Sequence, residues 1–564
     1  MQTKREMLEQ RFKQLRAIRA TWEPAWKDIS EHLLPYAPTW EARSPNHGTK
    51  KDQKILNSKP LRSVKTLAAG MMAGITSPAR DWFRLGTSDP ELNEYKSVKV
   101  YLDKCEQIIA AKLHASSFYR AMSGSVRPEQ IVLGTAVLFE EEGRPGEVRF
   151  RPSPAGEYFL DINADGRVDT CFRELAMTAR QMVQKFGHSK VSANCRRAYD
   201  ERSDTAMLVR HAVLPNSDYK HGRIGKDGMP WSSCWWEAAD ERLDGMLEEK
   251  GYHEFPVMAP RWSAPINSAY GYGPGWEARG DCKVLQHHER QYLKLYDKVV
   301  DPPMRSSDKM SNADLRPGSV THVAGQGGVY EPAIEMAALP RAMAEAKERI
   351  AEIERRISEA MFEHLWNMLI QDERAQRPTA TEIEAKRQEV ALMLGPVLEN
   401  DNAELLEPVI ERTYAILERN NMLPLPPPEL EGQDVKVEFI SIMHQMQQTT
   451  GLVSVRTLIN EVSLMAQVRP DVLDKVDFDI VVDEYARITG IRPDAVLSKD
   501  EVAKVRGQRA QQEQAKQEGE AMLAATQGIR NVSGADPAKL SELAGMMSPV
   551  AAAQGGALGS VKAA

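Results

Sequence analysis

The sequence predicts a mixed α/β, predominantly α-helical fold spread over several structural regions, on three observations. At 564 residues the chain is longer than one compact core accommodates. Its 42% hydrophobic and 27% charged residues are the balance of a folded protein. The apolar pattern also changes period along the chain, from steps of three and four, to short runs split by glycine turns, and back again.

Residues 5–34 read as one helix, because Leu8, Phe12, Leu15, Ile18 and Trp22 recur at helical steps and Pro35 and Pro38 end the pattern. Helical segments are expected near 58–75 and 93–116. From about 130, "AVLFEEEGRPGEVRFRPSP" and "EYFLDINADGRVDTCFREL" read as short strands joined by turns, with a helix at 178–186 and a second strand-rich patch over 205–260. Helix returns at 281–300 with a stripe of Leu285, Tyr292, Leu295, Tyr296 and Val299, stopped by "DPP" at 301–303. The clearest helix covers 340–369. A further one starts at "RPTATEIEAKRQEV" with a capping box, Thr379 with Glu382 or Thr381 with Glu384, is bent or interrupted at Gly395-Pro396, and runs to about Asn421. "LPLPPP" (Leu423 to Pro428) reads as a stiff connector, "VKVEFIS" as a strand, and 442–467, 479–489 and 499–526 as helices. The Ala/Gly/Ser-rich residues past 527 read as a mobile tail.

Net charge is −7, unevenly placed: residues 1–65 hold 14 Lys and Arg against 7 Asp and Glu, leaving −14 on the remainder. The basic segment reads first as a solvated helix face and second as a contact for nucleic acid or an acidic partner. The acidic remainder argues against a protein that wraps DNA tightly. No stretch approaches the roughly 18 apolar residues that span a bilayer, and the charged N-terminus has no signal-peptide pattern, so no membrane insertion is expected, and a protein that works in a cytoplasm or is released from one. Cys105, Cys171, Cys195, Cys234 and Cys282 are far apart and read as buried free thiols.

Chemistry-bearing motifs are weak. "DINADGRVDTCF" begins like a calcium loop, but position 12 is Phe172 and its flanks read as strands, so a hairpin turn is expected. His287, His288 and Glu289 are adjacent on a helix and point about 100° apart. The stretch "YGYGPGWEARGD" (Tyr270 to Asp281) raises the possibility of a phosphate cradle, since Gly271, Gly273 and Gly275 precede a helix. Its spacing is neither GxGxxG nor a P-loop, and Pro274 removes one amide donor. The alternative is geometric: small residues let Tyr270, Tyr272 and Trp276 pack closely while the chain turns into a helix. Neither a cofactor nor a metal is expected.

"YGYGPGWEARGDCKVLQHHERQYLKLYDKVVDPP" resembles the signature of the head-to-tail connector (portal) proteins of short-tailed bacteriophages. "LAAGMMAGITSPARDWFRL" (67–85), "RPTATEI" (377–383), "VEFIS" (437–441) and the region 469–509 resemble further family segments in the same order, so the resemblance spans about residues 5–510. It implies a portal fold of wing, stem, clip and crown or barrel, assembled as a ring of twelve at one capsid vertex. The partners implied are double-stranded viral DNA in transit, the terminase large subunit, tail adaptor and tail proteins, and major capsid and scaffolding proteins. The implied location is the virion, reached from the host cytoplasm, and no enzymatic activity is implied.

By order along the chain, the resemblance places a wing in 1–204, a clip in 205–262 and a stem in 263–303 with its helix at about 275–300. A second wing part falls in 304–441 with a channel loop at about 365–379, crown or barrel helices in 442–526, and the tail in 527–564. Tyr270, Gly271, Gly273, Pro274, Gly275 and Trp276 then form a structural hinge. Arg279, Lys283, Arg290 and Lys294 on the stem, and Arg374 and Arg377 in the loop, are candidates to face DNA. Two other readings stand beside this one: a helical virion scaffold or adaptor, and a nucleotide-dependent DNA-processing factor that rests on the glycines alone.

Overall fold

The computed structural model describes residues 3–36, 53–89, 92–203, 205–240, 245–306, 316–322, 331–332, 339–363, 393–430, 435–440, 459, 461–465, 469, 477–482 and 499–532. The chain forms two compact units, Met1–Gly490 and Ile491–Ala564.

The N-terminal pattern gives two helices, not the single helix expected over 5–34. Helix α1 (Lys4–Ala20) opens with a capping box in which Thr3 N–H donates to Glu6 Oε2 at 2.9 Å. Helix α2 (Glu23–Leu33) restarts with Pro24 in its first turn, where no N–H is required. The break has a packing cause. Leu8, Phe12 and Leu15 bury against one face of a sheet with Phe159, Phe172 and Trp236, whereas Trp26, Ile29 and Leu33 enter the main core. One straight helix cannot aim both stripes correctly.

Helix α3 (Lys59–Gly74) leads to strand β1 (Phe83–Thr87), then α4 (Lys96–Ala115). Residues 118–133 carry no clear sequence periodicity, yet they fold as α5 (Phe118–Ala121), a π turn (Met122–Val126) and α6 (Arg127–Leu133). Strands β2 (Val137–Glu142), β3 (Val148–Ser153), β4 (Tyr158–Ile162) and β5 (Val168–Thr178) follow, then α7 (Ala179–Phe186) and α8 (Ala193–Asp200). Next come β6 (Ala206–Pro215), β7 (Trp231–Glu237), β8 (Met246–Tyr252) and the short β9 (Val257–Met258). Strands β4 to β8 form one antiparallel five-stranded sheet in sequence order, so the expected boundary at 204/205 falls inside a sheet. Strand β2 pairs with both β3 and β9.

Helix α9 (Pro274–Val300) is followed by the small strands β10 (Met304–Ser306), β11 (Val320–His322) and β12 (Glu331–Pro332), then α10 (Leu339–Ala360). Helix α11 spans 393–401 and runs through Gly395-Pro396 without a break. The expected interruption lies instead at a π turn, Asn402–Leu406, before α12 (Glu407–Arg419). Strand β13 (Val435–Phe439) pairs antiparallel with β1, joining segments some 350 residues apart in register Leu85 with Val437. In the second unit, α13 (Lys499–Val532) continues past the residue 526 expected as its end.

The "DINADGRVDTCF" stretch forms the β4–β5 hairpin. Asn163 Oδ1 accepts from Asp165 N–H at 3.0 Å and Arg167 N–H at 2.9 Å, and Gly166 takes φ +77° as such turns require. Asp161 is ion-paired with Arg11. All five cysteines are buried free thiols, and burial pushes Cys105 up to about 11 and Cys171 up to about 12. Much of the basic N-terminal charge is used internally. Lys59 reaches Glu363 at 2.7 Å, Lys54 reaches Glu31 at 2.6 Å, and buried Arg19 bonds Glu23 at 2.8 Å and Tyr158 O at 2.8 Å.

A polar row crosses the five-stranded sheet, where Arg173 opposes His211 and His211 opposes Trp235. His211 stacks on Trp235 with ring centroids 3.9 Å apart, and Arg173 lies 3.3 Å above the Phe139 ring. Arginine only donates, so its 2.9 Å bond to His211 Nδ1 leaves the imidazole proton on Nε2, facing Ser233 Oγ at 3.0 Å. Burial, and then the charges of Arg173, Lys185 and Arg151, hold His211 well below the usual histidine range. The unfolded chain therefore binds a proton at His211 below about pH 6.5 that the folded chain refuses, and stability falls as pH drops through that value. Replacing His211 by Gln is expected to remove up to about 1.4 kcal/mol per pH unit of that slope below pH 6.5. Urea midpoints of variant and wild type, compared from pH 5 to 8, check it. The comparison isolates His211 from the buried Glu129 and Glu140, which are pushed up to about 8 and titrate with the opposite sign.

Candidate functional site

Helix α6 ends at Gly134, whose φ of +86° makes it the left-handed cap, with its N–H on Gln130 O at 3.0 Å. The last carbonyls of a helix lack intrahelical partners. The start of α9 packs onto them. Trp276 Nε1 donates to Leu133 O at 2.9 Å, and Gly271 N–H donates to Thr135 Oγ1 at 2.8 Å. Tyr272 exchanges both backbone bonds with Ser263, at 2.9 and 3.1 Å.

This approach is possible only without side chains. A Cβ on Gly271 would lie 2.8 Å from Gly134 O, one on Gly273 2.5 Å from Ile131 O, and one on Gly275 2.8 Å from Val132 Cα. Space, not conformation, selects glycine here, since Gly273 has φ −125°. By contrast a Cβ on Gly280 meets nothing within 4 Å. Pro274 occupies the first turn of α9.

The aromatic residues close around the turn. Trp22 lies 5.8 Å from Tyr270, 4.9 Å from Tyr272 and 5.6 Å from Trp276, and Trp26 meets Tyr270 edge-on at 5.2 Å. The Tyr270 hydroxyl accepts from Leu160 N–H at 3.0 Å, and burial pushes its ionisation well above the usual tyrosine range. The N–H groups of Gly271, Tyr272 and Trp276 are thus all directed at protein acceptors. A phosphate cradle would need such groups turned outward.

Beyond the turn, α9 changes character. Its buried side chains, Ala278, Cys282, Leu285 and Gln286, all lie in its first half. Gln286 Oε1 accepts from the N–H groups of Leu56 and Asn57 at 2.7 and 2.9 Å, and Asp281 meets Arg356 of α10 at 2.8 Å. In the second half Leu293, Tyr296 and Val300 are 44%, 49% and 66% exposed.

The four stem cations share a face, because positions 279, 283, 290 and 294 fall within about 60° on a helical wheel. The structure divides them. Lys283 is 2.6 Å and Arg279 3.9 Å from Asp28 of α2. Arg290 and Lys294 are exposed on the free half of the helix and have no ion pair among the described residues. Arg374 and Arg377, and the capping box at 379–384, lie outside the described residues. His287 and His288, adjacent on the helix, have ring centroids 6.0 Å apart and planes 82° apart.

Sequence reasoning missed the groups that anchor this joint. Arg261 donates through Nε to Glu404 Oε1 at 2.9 Å and through its side chain to Ser268 O at 2.7 Å, pinning the loop before the hinge to the second π turn. Arg127 and Asp401, both wholly buried, are ion-paired, and Gln130 Nε2 donates to Asp401 Oδ1 at 2.7 Å. The available signal was Pro128 and Pro408, each set inside a helical stretch.

What these residues build is a close-packed joint between a long, half-exposed helix and the core. Residues 5–497 match the family model described as bacteriophage head to tail connecting protein. The chain is 33% identical over 553 residues to the portal protein of Salmonella phage epsilon15, covering 96% of this chain and 98% of that one. It is 36% identical over 527 residues to the probable portal protein of Bordetella phage BPP-1, covering 92% and 93%. A solved chain from the virion of a native gene transfer agent particle aligns over 77% of this chain and 87% of its own at 12% identity, with a TM-score of 0.29 that carries no argument. The chain belongs to the bacteriophage head-to-tail connecting family, the portal proteins. It is a structural component of the phage head–tail connection and not an enzyme. No described helix is long and apolar enough to cross a membrane.

Proposed function

We propose that twelve copies of this chain form a ring at one capsid vertex, through which double-stranded DNA enters under a terminase motor and later leaves. The ring would then carry the tail adaptor, with major capsid and scaffolding proteins as neighbours during assembly in the host cytoplasm. The observation that carries this reading is near full-length similarity to two phage proteins named as portals. In this reading α9 is the stem, 27 residues or about 40 Å long, and its exposed half meets neighbouring copies and the channel. Strands β6 to β8 and the loop between β6 and β7, with Ile224 fully exposed, belong to the clip that meets the motor and then the tail. Residues 365–379 would supply the channel loop and 442–526 the crown or barrel.

A ring through which DNA slides must not hold phosphates tightly, since each neutralised phosphate adds counterion-release affinity. A net-acidic body touched by a few cations fits that demand. Negative-stain images of the purified protein test the assembly: a twelvefold ring with a central hole supports it, and a monomer sinks it. The pair Arg290→Glu with Lys294→Glu is expected to change DNA retention in filled heads while leaving rings intact, because neither side chain has a described intramolecular partner. Arg279→Glu and Lys283→Glu are expected instead to disturb the contact with Asp28. Unchanged packaging and retention in the first pair would remove Arg290 and Lys294 from the channel.

A further inference from the structure

Two helices of this chain widen into π turns, and proline explains both. In Met122–Val126 the bond spanning five residues runs from Arg127 N–H to Met122 O, and in Asn402–Leu406 from Glu407 N–H to Asn402 O. The residues that come next are Pro128 and Pro408. A proline inside a helix has no N–H to donate, and its ring collides with the carbonyl four residues back, here Gly124 and Glu404. A widened turn moves that carbonyl aside.

The two turns are also bonded to each other. Arg127 closes the first, Asp401 opens the second, and they form the buried ion pair. Gln130 binds both, accepting from Arg127 at 2.9 Å and donating to Asp401 at 2.7 Å. Accommodating two prolines separately requires no such link. Buried Arg127 also keeps Nε and one terminal nitrogen without a hydrogen-bond partner among the described residues, so the guanidinium has donors left for another arrangement of this turn.

We propose that the paired π turns are one coupled hinge, about which α11 turns relative to α12, with Arg127–Asp401 as its latch. Closing the second turn to α geometry removes one residue from it. That rotates α11 by about 100° and shifts it by about 1.5 Å along its axis, carrying Asp401 away from Arg127 unless the first turn adjusts as well. The consequence for packaging rests on the portal reading, but the hinge itself does not.

Hydrogen exchange followed by mass spectrometry on the full-length protein tests it, whether or not the protein forms a ring. In the wild type, amides of 402–407 are expected to exchange at least tenfold faster than those of 411–419. Pro408→Ala restores an N–H and removes the ring collision, and is expected to slow the 402–407 amides at least tenfold. Pro128→Ala is expected to quicken the same amides relative to those of 411–419, although it lies some 270 residues away in sequence, because Pro408 keeps the second turn from following the first and the latch parts. Should Pro408→Ala fail to fold, Pro128→Ala decides alone: exchange at 402–407 that quickens relative to 411–419 supports the coupled hinge. Exchange at 402–407 as slow as in α12, or untouched by Pro128→Ala, overturns it. Failure of the portal reading shows separately, as a wild-type protein that never forms rings.

Discussion

Asp401→Asn is expected to cost the folded unit about 3–5 kcal/mol, the usual result of removing one partner of a buried ion pair. Arg127 and Asp401 have no exposed side-chain surface, so each charge depends on the other for its compensation. The amide introduced at position 401 could still accept from Gln130, so the loss measures charge more than shape. Two of the Arg127 nitrogens already lack hydrogen-bond partners among the described residues, which leaves the remaining charge little to fall back on. Arg127→Met together with Asp401→Leu is expected to recover part of the loss, because an apolar pair removes the desolvation demand of the two charges but leaves the buried Gln130 amide, which bonds both, without those partners. Guanidinium unfolding of wild type, both single variants and the pair provides the cycle. A single Asp401→Asn that unfolds at the wild-type midpoint would show that the pair contributes nothing net. Such an outcome would also weaken its role as a latch.

The helices and strands with clear periodicity were legible in the sequence, because burial on one face leaves a readable stripe. Helix α9 is an example: its end before "DPP" and its Leu/Tyr stripe follow from the residues, although the pattern alone begins at 281 and the helix starts at Pro274. The aromatic and glycine cluster before it could be read as a tight turn, but not what it turns against. The α6 carbonyls that exclude a Cβ at Gly273 and Gly275 lie some 140 residues earlier, and nothing local to "YGYGPGW" encodes them. Residues 118–133 were not legible, since α5, the π turn and α6 bury Phe118, Met122, Val126, Ile131, Val132 and Leu133 on several sides and so leave no single stripe. The interruption assigned to Gly395-Pro396 shows the limit of punctuation rules. Over the described residues 393–401 the helix passes through Pro396 unbroken, whereas the widened turn lies directly before Pro408. The stem cations form one face by spacing alone. That Asp28 takes up two of them depends on where α2 packs, which the sequence does not state.

Gly273→Ala and Gly275→Ala are each expected to destabilise the protein by about 3 kcal/mol or more, at the top of the range for overpacking. The colliding atoms are the carbonyl oxygen of Ile131 and the Cα of Val132, at 2.5 and 2.8 Å from the added Cβ. These are backbone atoms at the end of a buried helix, so no rotamer change relieves the clash. Helix α9 would have to move off α6, breaking the bonds from Trp276 to Leu133 and from Gly271 to Thr135. Gly280→Ala is the internal control. It lies in the same helix, its Cβ meets nothing within 4 Å, and replacing a helix-interior glycine is expected to add about 0.5–1 kcal/mol of stability. Thermal unfolding of the three variants separates the two roles that glycines before a helix can have. If the glycines held phosphate, substitution would weaken nucleotide binding and leave the melting temperature near that of the wild type. If they serve close packing, Gly273→Ala and Gly275→Ala lower it, Gly280→Ala raises it, and added nucleotide changes none of the three.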